Sequence, residues 1–140
     1  MYDCIRCAAA AVPGEIMDKK KILVVDDNVN FSQLLQCALE DDFEVTTAAD
    51  GLEGVKVAGE LMPELILMDV MMPNVSGIEM ARRLQEEEET KNIPLIVLTG
   101  SHMEKGVPDL FKQERNVRLF LSKTTPVLDI VAAVKKTLEA

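Results

Sequence analysis

The sequence predicts one α/β domain, a doubly wound sheet of five parallel strands with helices on both faces. Three observations predict it. Apolar runs too short for helices alternate with helical periods over residues 19–140. The order reads strand then helix five times over, and four of the five strand ends carry reactive side chains. Strict alternation of this kind implies parallel strands joined by right-handed crossovers, and ligands of open α/β sheets gather at the carboxyl ends of strands.

The first strand is the apolar run 21–25, and Phe31, Leu34, Leu35, Ala38 and Leu39 follow at the spacing of one helical face. Phe43, Val45 and Thr47 alternate with Glu44 and Thr46 as a second strand. Asp50 with Glu53 offers a capping box for the second helix, which Pro63 closes. Gly51, Gly54 and Gly59 weaken that helix by about 1 kcal/mol each relative to Ala, so packing must hold it. The run 65–68, between Pro63 and Pro73, is a buried parallel strand. Ser76 with Glu79 caps a third helix carrying Ile78, Ala81 and Leu84. Runs 95–98 and 117–121 are the fourth and fifth strands, with a fourth helix within 104–115 that Gly106 and Pro108 interrupt. Thr125 caps the last helix, Pro126 takes its first position, and Val127, Val131, Val134 and Leu138 mark its inner face.

Composition narrows the function. The chain has 140 residues, 48% of them apolar, and a net charge of −9; setting aside the leader's three acids and one base leaves −7. An acidic domain argues against nucleic-acid binding, which draws its affinity from clustered Lys and Arg. The longest apolar stretch, 8–12 with Cys7 before it, is far short of the roughly 20 residues of a membrane span, and the leader opens with an acid at Asp3 and has too short an apolar run for an export signal. Residues 1–18 read as a flexible leader or a remnant of expression, and residues 19–140 as the domain. Cys4 and Cys7 form a CxxC, but a zinc site needs further ligands, and the other Cys, Cys37, sits inside a helical pattern while the only His is His102; an odd cysteine count suits a reducing compartment. We expect a cytoplasmic protein. The acids at 86–89 are a solvated face, and His102 is a loop residue.

At the strand ends stand Asp26 and Asp27, Asp69, Thr99, and Ser122 with Lys123. Any one alone would be a cap or a surface charge. Together on one edge, three carboxylates repel, and without a counter-charge at least one pKa should rise. A divalent cation resolves the repulsion, and an all-oxygen ligand set suits Mg2+, with Mn2+ as a substitute. Carboxylate, cation, Lys and hydroxyl make a phosphoryl-transfer site. Asp69 stands alone with small, flexible neighbours after it and is the nucleophile; the adjacent Asp26 and Asp27 form a metal-holding pair. No general base is needed, because an ionised carboxylate is already nucleophilic.

These residues carry a resemblance. The runs ILVVDDN, LILMDVMMPNVSGIE and PLIVLTG, with the late Lys123, resemble the receiver domain of two-component response regulators over about residues 20–138. The most specific part is Asp69 followed by Met72, Pro73, Gly77 and Glu79. The resemblance implies a flavodoxin-like sheet in the order 2-1-3-4-5 and a phosphoacceptor at Asp69, charged by a histidine kinase or phosphotransfer protein in a phosphorelay. It implies that Asp27 ligates Mg2+ directly, Asp26 mainly through water, and Met71 through its backbone carbonyl. Thr99 and Lys123 would contact the phosphoryl oxygens. Thr99 and Phe120 would form the switch that changes the face shown to a downstream protein; the alternative for Phe120 is a plain core residue.

The chain departs from the family in two places. Lys123 is followed by Thr124 and Thr125, with Pro only at 126, where the family has Pro and a cis peptide directly after this Lys. A cis bond before Thr would cost about 2.5–4 kcal/mol, so either that strain is kept or Lys123 sits differently. The region of the fourth helix lacks the family's small-residue pattern, which bears on partner choice.

Met71 and Ser101, two positions beyond Asp69 and Thr99, flank the path of a hydrolytic water, and neither orients water as a carboxylate or amide would. A long-lived phosphoaspartate is expected. Two other functions compete with this one. An aspartate-nucleophile phosphatase of the haloacid dehalogenase type places two Asp two residues apart after its first strand, whereas Asp26 is followed by Asp27 and Asn28. A receiver-like module that is never phosphorylated would have little use for the intact set of Asp26, Asp27, Asp69, Thr99 and Lys123. We therefore expect a signalling module and not an enzyme.

Overall fold

The computed structural model describes residues 19–69, 77–99 and 115–139. In chain order these form β1 (Lys20–Val25), α1 (Val29–Leu39), β2 (Phe43–Ala48), α2 (Gly51–Leu61), β3 (Leu65–Asp69), α3 (Gly77–Gln85), β4 (Leu95–Thr99), β5 (Val117–Ser122) and α4 (Val127–Glu139). The strands make one parallel sheet in the order β2-β1-β3-β4-β5, as the resemblance implied. The leader with Cys4 and Cys7, the predicted cap Ser76, and nearly all of the interrupted helix within 104–115 lie outside the described residues; Arg115 is an exposed turn residue.

The sheet divides two cores. Side chains alternate across each strand, so Leu23, Val25, Ile66, Met68, Leu95 and Val97 face α2 and α3, where they meet Ala58, Met80, Ala81 and Leu84. Ile22, Val24, Leu65, Leu67, Ile96 and Leu98 face the opposite way, onto Leu35 and Leu39 of α1 and Ile130, Val131 and Val134 of α4. Strands β3 and β4 are buried along their whole length. That accounts for their unbroken apolar runs, since both of their faces are covered.

The helix ends follow their local chemistry. Asn28 caps α1 by accepting the Phe31 N–H at 3.1 Å. Asp50 caps α2 by accepting the Glu53 N–H at 2.8 Å, and Glu53 reaches back to the Ala49 N–H at 2.8 Å, closing the predicted box one residue earlier than usual. Met62 ends that helix in the left-handed region at φ 54° just before Pro63. Glu79 is paired with Arg83 at 3.2 Å. The acids at 86–89 are exposed in the turn after α3, as expected, and Glu88 meets Lys91 at 2.7 Å. Below that turn Asn116 is buried, donating from Nδ2 to the Ala81 carbonyl while its own carbonyl accepts the Leu95 N–H.

Three expectations are corrected. Leu34 is half exposed, because the inner stripe of α1 runs through Phe31, Leu35, Ala38 and Leu39 and leaves Leu34 on its flank. Thr47 is exposed and Ala48 is buried instead, so β2 feeds both cores: Phe43 and Val45 join one and Ala48 the other. Pro126 is not the first helical residue. It takes the cap position expected for Thr125, its carbonyl accepting the Asp129 and Ile130 N–H groups, and α4 starts one residue later.

The glycines of α2 separate into two kinds. A Cβ at Gly54 would lie 2.9 Å from Met80 Cε, the flexible tip of a side chain on α3, and 3.0 Å from Val25 Cγ2 of β1, which is fully buried and β-branched and so can give little. A Cβ at Gly59 would meet nothing within 4 Å. Gly59→Ala should raise unfolding stability in urea by about 0.5–1 kcal/mol. Gly54→Ala should lower it by about 1 kcal/mol or more, because overpacking outweighs the same helix gain; equal effects at the two positions would contradict this account.

Candidate functional site

The strand order reverses direction between β1 and β3, since the chain leaves β1 for β2 and returns on the other side to β3. Ligand crevices form at such points. Asp26 directly follows β1, its N–H bonding to the Ala48 carbonyl at 3.1 Å as if the strand continued. Asp69 closes β3 and Thr99 closes β4, both buried. Ser122 pairs with Thr99 in register, and Lys123 comes next.

Carboxylate oxygens of Asp26, Asp27 and Asp69 all lie within 4.8 Å of one another. Asp26 is 2% exposed and Asp69 5%, whereas Asp27 faces solvent. The Lys123 ammonium lies 2.8 Å from Asp26 Oδ2 and 3.0 Å from Asp69 Oδ2, bridging the two buried acids. Its backbone N–H donates to the Thr99 carbonyl at 2.7 Å, which ties the end of β5 to the end of β4. Asp26 Oδ1 accepts the Asn28 N–H at 2.9 Å. Thus Asp26, Asp27, Asp69 and Lys123 converge as the sequence predicts, with Thr99 at the adjoining strand end.

Burial pushes the Asp26 carboxyl above its ordinary value; contact with Lys123 and the Asn28 N–H oppose the shift, and the charge of Asp69 adds to it. A counter-charge is present in Lys123, and the carboxyl is raised all the same, mainly by desolvation, with repulsion a lesser cause. Lys123 shifts the other way from what its burial alone would give. Desolvation lowers its pKa, yet hydrogen bonds and charge from Asp26 and Asp69 outweigh it and the net direction is upward.

The peptide after Lys123 is trans, as are all peptides of the described residues. A local turn holds this loop: the Thr124 N–H donates to Ser122 Oγ at 3.1 Å, the two hydroxyls are 2.7 Å apart, and the Thr125 N–H reaches the Ser122 carbonyl at 3.0 Å. Of the two readings left open, Lys123 takes the one without the cis bond and still reaches both carboxylates. Phe120 is half-buried against the core under α2 and α3, beside Val97 in the register. Met71, Ser101 and His102 lie outside the described residues.

Sequence reasoning missed two parts of the site. Asn28 both caps α1 and braces Asp26, a role that an Asn placed just before a helical period could have announced. Phe31 places its ring 5.0 Å from the Lys123 ammonium; no spacing rule could find that contact, because it joins α1 to the far edge of the sheet.

Comparison with known proteins fits this geometry. The family model for the response regulator receiver domain matches residues 22–135. The polar-differentiation response regulator DivK of Brucella ovis is 32% identical over 120 residues, covering 85% of this chain and 96% of that protein. The chain belongs to the response regulator receiver domain family. It is a receiver domain, homologous to the phosphoacceptor modules of two-component signalling systems. Such domains interact with histidine kinases and phosphotransfer proteins, and bind Mg2+ in an acidic site.

Solved structures agree on the fold. The chemotaxis protein CheY4 of Vibrio cholerae has a TM-score of 0.78 at 25% identity, covering 84% of this chain and 98% of that one. The receiver domain of sensor histidine kinase PA1611 from Pseudomonas aeruginosa, solved with magnesium coordinated in its active-site cleft, has a TM-score of 0.78 at 23% identity, covering 87% and 99%. The chain spans only 6% of hybrid signal transduction histidine kinase D of Dictyostelium discoideum and 34% of the Synechocystis regulator RpaA, two longer curated relatives. No helix among the described residues is long and apolar enough to cross a membrane.

Removing the Lys123 ammonium leaves Asp26 and Asp69 facing each other without a counter-charge. In metal-free buffer Lys123→Ala should cost about 1–3 kcal/mol of stability at neutral pH. The folded-state pKa of Asp26 is already raised, and losing the ammonium raises it further. Protonation then relieves the repulsion, so the loss should shrink as pH falls through that raised pKa. Urea melts of wild type and variant from neutral to acid pH check this; a loss that grows towards acid would refute it.

Proposed function

We propose that Asp69 is the phosphoacceptor, that Asp26, Asp27, Asp69 and the backbone carbonyl of Met71 hold Mg2+, and that Thr99 and Lys123 receive the phosphoryl oxygens. The observation that carries this reading is the Lys123 ammonium 3.0 Å from Asp69 Oδ2, inside a cluster of three converging carboxylates. The donor set fits a hard cation. All three side chains offer oxygen, and the buried Asp26 Oδ2 has the Lys123 ammonium at 2.8 Å to meet its charge. Mg2+, or Mn2+ in its place, supplies charge neutralisation at the phosphoryl oxygens.

The residues of the chain do the rest. Asp69 Oδ attacks phosphorus in line, the bond from phosphorus to the donor breaks, and the donor keeps the electron pair. Lys123 turns its N–H groups from carboxylate to phosphoryl oxygen, compensating charge as it develops. The Thr99 hydroxyl follows that charge, and Phe120, packed on the neighbouring strand, changes position with it; these two form the switch. The donor is a histidine kinase or phosphotransfer protein, and the changed face addresses a downstream protein. The domain comprises residues 19–140, after a leader at 1–18. A free, exposed Cys37 suits the cytoplasm.

Incubation with acetyl phosphate and Mg2+, read by intact mass, should add one phosphoryl group. Asp69→Asn or chelation of the metal should abolish the gain; an undiminished gain in Asp69→Asn would move the acceptor elsewhere, and steady turnover of a small phosphoester would favour a phosphatase.

Because the residues two positions beyond Asp69 and Thr99 in the sequence, Met71 and Ser101, carry neither a carboxylate nor an amide to orient water, the phosphorylated form should persist well beyond minutes once acetyl phosphate is removed. Decay within seconds, followed by mass or by phosphate release, would show that another group orients the hydrolytic water.

A further inference from the structure

Lys123 reaches the site on a side chain with four rotatable bonds, and its side chain is 22% exposed. Two carboxylates draw the ammonium inward, but both change partners once a phosphoryl group and a cation are present. A third contact involves neither carboxylate. The ammonium lies over the ring of Phe31 at 5.0 Å from the centroid, within the range of a cation–π interaction.

Phe31 is itself fixed by the site. Its N–H is held by Asn28 Oδ1 at 3.1 Å, and the Asn28 N–H is held by Asp26 Oδ1 at 2.9 Å. Asp26 therefore acts twice: Oδ1 sets the turn that presents the ring, and Oδ2 meets the ammonium that the ring backs. The side chain is partly buried and packs against the core that α1 shares with α4.

We propose that Phe31 is a positioning residue for phosphoryl transfer, its ring keeping the Lys123 ammonium poised over Asp69 while the carboxylates exchange partners. This rests on the reading of Asp69 as phosphoacceptor. Without the ring, the ammonium spends more of its time in solvent, and the fraction of molecules ready for transfer falls. A ring contact of this kind at a partly exposed site corresponds to about a two- to fivefold change.

The test measures the rate of phosphorylation by acetyl phosphate at saturating Mg2+ in wild type, Phe31→Leu and Phe31→Trp, each also combined with Lys123→Ala. Phe31→Leu keeps apolar bulk without a π face; Phe31→Met replaces it if the Leu variant melts early. The expected result is a two- to fivefold slower rate in Phe31→Leu, recovery to within twofold in Phe31→Trp, and no further slowing by Phe31→Leu once Lys123 is Ala. An unchanged rate in Phe31→Leu, or the same slowing with and without Lys123, overturns the proposal.

A second readout is independent of phosphorylation. In wild type the ε-methylene protons of Lys123 should be displaced upfield in the NMR spectrum by the ring, and the displacement should vanish in Phe31→Leu. Its absence in wild type overturns the placement itself. A displaced Lys123 signal in a chain that takes no phosphoryl group would instead sink the phosphoacceptor reading, and the positioning role with it.

Discussion

One ammonium between two buried carboxylates is the interaction on which the carboxyl edge of the sheet depends. Asp26 and Asp69 are almost fully withdrawn from water, and two such acids side by side would not both stay ionised without compensation. Lys123 supplies the compensation from the opposite side of β3, across the width of β4. Three strand ends are thereby pinned by charge where the apolar core stops. In the role proposed for Asp69, a cation and a phosphoryl group would take over part of the compensation that Lys123 now supplies alone.

That demand explains why the rest of the fold is so uniformly apolar. β3 and β4 are buried at every position, and the only polar residues in them are Asp69 and Thr99 at their last positions. A rigid centre carries the reactive groups to one edge and nowhere else. A close-packed core transmits strain instead of absorbing it, and the element with room to yield is β5, which lies at the edge of the sheet, is only half-buried, and is offset from β4 by a register irregularity between Leu95 and Ile96. Lys123 and Phe120 both belong to that strand or its end.

How much of this the chain discloses depends on the range of the interactions involved. Strand and helix periods are local, so the elements were legible, and the edge on which Asp26, Asp27, Asp69, Thr99 and Lys123 meet follows from parallel topology alone. Leu34 and Thr47 were misplaced because periodicity marks a face without saying how wide the neighbouring element will cover it. Pro126 was misplaced because a Pro at the cap and one at the first helical position look alike until the carbonyl bonds are seen. The main cause of the raised Asp26 pKa, burial, is hidden for a similar reason: charges can be counted in a sequence, whereas depth of burial cannot.

The loop after Lys123 shows how a departure from a family pattern is resolved by local chemistry. With Thr at 124, the chain can use hydrogen bonds that a proline there could not make: the Thr124 N–H and hydroxyl both engage Ser122 Oγ. The turn they form returns the backbone in trans, and the Lys123 N–H to Thr99 carbonyl bond holds its base against β4. Orientation of the ammonium is then left to what surrounds its far end, namely Asp26, Asp69 and the Phe31 ring. The constraint has moved from the backbone next to the lysine to the side chains around its tip, so changes on α1 should reach the phosphoryl site more directly in this chain than a reading of the β5 loop alone would indicate.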